Sequence, residues 1–159
     1  MDTHSTVLGQ AGAPIILVID GHEWRFSYVT QVMKAEYESW LESKVRARMG
    51  ELKASLAPED YQQVVCDVLE KMALGKYGWG EAAWRDSLKS AAGLQRLLQL
   101  MLVANHPEAR TWTAARFEAL MAADQEGIAR VMEQAITGRA TPEKNEAGEI
   151  DDPFGQAAV

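Results

Sequence analysis

The strictest pattern in the chain is the alternation in IILVIDGHEWRF, residues 15–26. Asp20-Gly21 divides it into two apolar runs. A two-residue type I′ turn needs positive φ at both central positions, which Asp and Gly tolerate. The predicted register pairs Ile19 with His22, Leu17 with Trp24 and Ile15 with Phe26. Ile15, Leu17, Ile19, Trp24 and Phe26 then share one face, while Ile16 and Val18 stand with Glu23 and Arg25 on the other. Two strands alone are marginal in water, so the larger apolar face has to cover helices or meet another chain.

After the hairpin the spacing of apolar residues changes to three and four. Ser27 is a candidate cap for a first helix over about 28–56, with Val29, Val32, Met33, Tyr37, Trp40, Leu41, Val45, Met49, Leu52 and Leu56 on its stripe. Such a helix is roughly 40 Å long at about 1.5 Å per residue. Gly50 is a point of bending or fraying. Pro58, Glu59 and Asp60 open a second helix, striped by Tyr61, Val64, Val65, Val68, Leu69 and Met72 and stopped at Gly75. The glycines of GKYGWG break the pattern, leaving Tyr77 and Trp79 as aromatic lids on a core. A third helix is expected over 81–104, apolar on most sides and therefore central. Gly93 inside it marks close packing or a local break. Asn105-His106-Pro107 ends it, because the residue before proline avoids helical backbone. Thr111 or Thr113 caps a fourth helix with Phe117, Leu120 and Met121 inward. A fifth, with Ile128, Val131, Met132 and Ile136, closes at Gly138.

The predicted fold is thus mainly α: a two-stranded β-hairpin followed by about five helices. Residues 1–13 read as a flexible arm, 14–137 as a single domain, and 138–159 as a disordered acidic tail. That last stretch has five acids against two bases and no apolar period, so it buries too little to offset its ordering entropy. Within it, DDPFG sets Phe154 beside Asp151 and Asp152, a form that short docking segments share with plain solubilising tails.

Composition narrows the function classes. With 159 residues, 47% hydrophobic and 25% charged, the chain fits one globular domain. The single cysteine, Cys66, excludes an internal disulfide and is expected as a small reduced core residue. No apolar run is long enough for a membrane span, and the first residues lack the basic and apolar regions of a signal peptide. A net charge of −7 disfavours nucleic acid. The one basic cluster, Lys44, Arg46, Arg48 and Lys53, is bracketed by Glu42 and Glu51 and reads as a solvated helix face.

Catalytic patterns are missing. His4, His22 and His106 fall in no metal-binding spacing. Asp20, His22 and Glu23 sit together at the hairpin tip, but strand alternation points neighbours to opposite faces. Gly75, Gly78 and Gly80 lack the Lys-Ser/Thr of a phosphate cradle. Glu36 and Glu38 are two apart and do not face each other on a helix. The expectation is therefore no catalytic residue, no cofactor and no metal. Ile16 and Val18 are the candidates for contact between chains, and Asp151, Asp152 and Phe154 for recruitment of a partner.

The layout carries a resemblance. A hairpin of the form IILVIDGHEWRF leads into several helices, then HPEARTWTAARFEALMAADQEGIARVMEQAI reads as two short helices, and a polar tail follows. Over residues 14–137 this resembles the tail assembly chaperones of long-tailed bacteriophages. The resemblance implies a non-enzymatic protein of the host cytoplasm that coats the tape-measure protein, recruits tail-tube subunits and self-associates. Met33, Met49, Met72, Met101, Met121 and Met132 would adapt to an irregular partner, though methionine at helical spacing is also ordinary core. The alternative is a structural virion component such as a head–tail connector or minor tail protein. A DNA-binding regulator is disfavoured by charge, and an enzyme by the missing motifs.

Overall fold

The computed structural model describes residues 13–138. Strands β1 (Ile15–Ile19) and β2 (His22–Phe26) form an antiparallel hairpin in the expected register, Ile15 opposite Phe26 and Leu17 opposite Trp24. Asp20 (φ 50°) and Gly21 (φ 76°) both take positive φ, as the turn requires. The predicted inner face goes inward. Ile15, Ile19 and Phe26 are buried, and Leu17 and Trp24 pack against the same core.

Among the described residues six α-helices follow: α1 (Gln31–Leu52), α2 (Pro58–Ala73), α3 (Ala82–Ser87), α4 (Ala91–Val103), α5 (Ala114–Ala123) and α6 (Gln125–Thr137). A 3-10 turn, Pro107–Thr111, joins α4 to α5. The first helix starts later than its apolar stripe suggested. Ser27 and Val29 are held extended because their N–H groups donate to Met101 O at 2.8 Å and Ala135 O at 3.1 Å. Those acceptors lie in the last turns of α4 and α6, where carbonyls lack partners within the helix. Thr30 is the cap instead, its Oγ1 accepting from Met33 N–H at 3.2 Å.

The single third helix expected over 81–104 is two helices. Ser90 Oγ accepts from Gly93 N–H at 3.1 Å and starts α4 afresh, on a new axis after α3. Gly93 is needed at that bend. A Cβ there would collide with the Ser87 carbonyl and stand 2.9 Å from the Tyr37 hydroxyl. The aromatic lids sit as predicted: Trp79 lies 4.5 Å from Trp84 and 5.9 Å from Tyr37, between ring centroids. Gly138 (φ 69°) ends α6 with a left-handed cap.

The centre is α4. Leu97, Leu98, Met101 and Leu102 are wholly buried, with Phe26 and Tyr37 against the same core. β2, α1, α3, the 3-10 turn and α5 all pack on α4, and α6 packs on β1 and α5. The Tyr37 hydroxyl, buried in this core, meets Ser87 Oγ at 2.7 Å and donates to Gly93 O at 3.3 Å, whereas the buried Trp84 indole N–H meets no acceptor among the described residues. Burial pushes the Tyr37 phenol above its ordinary value of 10.0, and the Ser87 hydrogen bond offsets part of that.

Candidate protein-binding surfaces

Strand alternation leaves Ile16 and Val18 outside the core, 54% and 60% exposed. Beside them Arg25 and Glu23 form a surface ion pair at 2.7 Å. The hairpin's two edges differ. Because Ile19–His22 is the pair closing the turn, every second residue has its backbone groups turned away from the partner strand. On β2 these are Glu23 and Arg25, and the Arg25 N–H donates to His106 Nε2 at 3.0 Å. On β1 they are Ile16 and Val18, and no described residue hydrogen-bonds to their N–H or C=O groups. The β1 edge carries no charge, proline or bulge within Ile15–Ile19, the features that usually blunt such an edge.

A second surface lies on the helices. α1 and α2 run as an antiparallel pair whose outer part stands away from α4, and from residue 42 to residue 83 no residue is buried. The seam between the two helices has the expected period, with Val45, Met49 and Leu52 on α1 and Tyr61, Val64, Val65, Val68 and Met72 on α2. All of these are half-buried only. Cys66, expected in the core, is exposed. Its helix meets one neighbour rather than a surrounding core, so the residue beside the seam faces water. Leu69 is 54% exposed and Leu74 63%.

Charge divides between the arm's helices. The α1 part carries Lys44, Arg46, Arg48 and Lys53 against Glu42 and Glu51. α2 carries Glu59, Asp60, Asp67 and Glu70 against Lys71. Arg48 pairs with Glu51 at 2.7 Å and Arg46 with Glu42 at 3.9 Å, both within α1. Lys44 lies 5.8 Å from the Trp40 ring centre. Among the described residues no ion pair crosses from α1 to α2.

A third surface is a shallow apolar groove between α4, α5 and α6, lined by Leu94, Met121, Ile128 and Met132. Of the methionines singled out above, Met101 is wholly buried core, whereas Met33, Met49, Met72, Met121 and Met132 are half-buried.

The hairpin tip is a turn, with His22 edge-on to Trp24 at 4.5 Å. No group of three or more His, Cys, Asp or Glu residues converges as a cation site among the described residues. Asp86 is held below the usual carboxylate range by its hydrogen bond to Lys89. Among the described residues no helix is long and apolar enough to cross a membrane. Asp151, Asp152 and Phe154 lie outside the described residues.

Sequence reasoning placed Ile16 and Val18 correctly on the outer face but missed the arm. The α2 stripe has the ordinary helical period, which reads the same for a helix packed on one neighbour as for one packed on several. Comparison of the chain with protein-family models, with curated proteins and with solved structures finds no match to any of them.

Proposed function

We propose that this chain holds other polypeptides while a larger structure is built, as a tail assembly chaperone of the long-tailed phage type that its layout resembles. In that role it binds the tape-measure protein, recruits tail-tube subunits and works in the host cytoplasm without catalysing a reaction. The observation that carries the reading is the open edge of β1, with Ile16 and Val18 bare on its outer side. A polypeptide that adds a strand there gains backbone hydrogen bonds whatever its sequence, and the two side chains add apolar contact. Such tolerance suits a long client with many similar apolar stretches. A helical segment of the same client fits the groove at Leu94, Met121, Ile128 and Met132, where two half-buried methionines adapt to irregular shapes.

The test is co-expression with a tape-measure protein and a tail-tube subunit. Wild-type protein should co-purify with the tape-measure protein. Replacing Ile16→Lys and Val18→Lys should cut recovery by roughly tenfold or more, with circular dichroism unchanged, because both side chains are already in water. A clean monomer that ignores the tape-measure protein would count against the proposal. Finding the chain in purified mature virions at fixed stoichiometry would assign it to the particle's structure instead.

A further inference from the structure

The arm formed by α1 and α2 has a seam that one pair of helices does not close. Each of its apolar residues from Val45 to Met72 stays half-wet, with Leu69 more exposed still. Four helices around a shared core seal such stripes, and two do not. The charges indicate which partner would supply the other two. The outer part of α1 is net basic and α2 is net acidic, with no ion pair joining them inside the chain.

We propose that two copies of this chain pair through their arms, forming a four-helix bundle about a two-fold axis with the basic end of α1 in one copy against the acidic α2 of the other. A two-fold operation makes that contact twice, since each copy offers both signs. The like-charged helices then lie on the diagonals. The alternative, α1 beside its own symmetry mate, sets basic residues side by side and is disfavoured. Leu69 and Val65 supply apolar surface for the new contact, and Cys66 beside them goes from solvent into the joint. The pairing uses a face remote in sequence from the hairpin and stands or falls separately from strand addition at β1.

The experiment is sedimentation equilibrium of the full chain and of two reversals, Arg46→Glu with Arg48→Glu, and Asp67→Lys with Glu70→Lys. Wild type is expected to be a dimer at micromolar concentration, its Kd rising roughly tenfold between about 50 mM and about 500 mM salt. Each reversal alone should be monomeric with its helical circular dichroism retained. An equimolar mixture of the two should dimerise again, because both cross-chain contacts then join opposite signs. Leu69→Glu, at a position more than half exposed in the monomer, should also give monomer. A wild type that stays monomeric at about 100 μM, including one whose arm instead takes a partner's helix, overturns the proposal. So does a dimer that survives both reversals and Leu69→Glu, or a mixture that fails to re-associate.

Discussion

Tyr37 shows how one side chain fixes the geometry around it. Its ring is wholly buried, and its hydroxyl joins α1 to both sides of the α3–α4 bend through Ser87 Oγ and Gly93 O. Tyr37→Phe keeps the ring and loses these bonds, so it should cost about 1–2 kcal/mol in urea denaturation near neutral pH. It should also change the alkaline limb. The folded phenol sits above its ordinary value of 10.0, so rising pH ionises the unfolded tyrosine first. Its contribution is complete below that value and is lost as pH climbs through the folded value. Wild type should therefore lose stability more steeply above about pH 10 than Tyr37→Phe does. Parallel pH profiles for the two proteins would show that the buried hydroxyl has no such role.

Elements in this protein differ in what holds them. α4 is enclosed by its neighbours, while α2 rests on α1 with no buried residue of its own. Hydrogen exchange should separate them. At low protein concentration, where arms are unpaired, amides of residues 58–73 should exchange at least about a hundredfold faster than those of Leu97–Leu102. Equal protection would mean that the arm opens only with the whole domain. The same contrast explains what was legible in the sequence. The hairpin could be read because Asp20-Gly21 sets the register locally. The run of α4, apolar on most sides, announced its central place. The break before α4 was harder, since it depends on Ser90 capping and on Gly93 meeting Ser87 and Tyr37, contacts that require the tertiary fold. The delayed start of α1 has the same origin, in bonds to Met101 and Ala135. Period alone also cannot say whether a stripe such as that of α2 will meet one helix or several. The outward position of Ile16 and Val18 followed from alternation, but that β2 is the edge met by His106 while no described residue bonds to β1 depends on the tertiary fold.

Taken whole, the fold joins the first described elements to the last. Gly127, in the first turn of α6, is bare where the Leu17 side chain comes close, for a Cβ there would stand 2.9 Å from Leu17 Cδ1. Tyr28 Oη accepts from Gln134 Nε2 at 2.9 Å, and the Val29 N–H donates to Ala135 O. Removing the chain from Gln125 onward should therefore uncover Ile15, Leu17 and Ile19 and abolish cooperative melting, with dye binding that marks bare apolar surface. A truncated chain that melts cooperatively at the wild-type temperature would place the hairpin's support elsewhere.

The bond from Val29 to Ala135 has a consequence for the order of events on the ribosome. The strands are translated first and the helix that covers them last, at about 5–20 residues per second. For several seconds the nascent chain carries an oily ribbon with nothing to lie on. Sister chains on neighbouring ribosomes, a little ahead or behind on the same messenger, carry the same bare ribbon meanwhile.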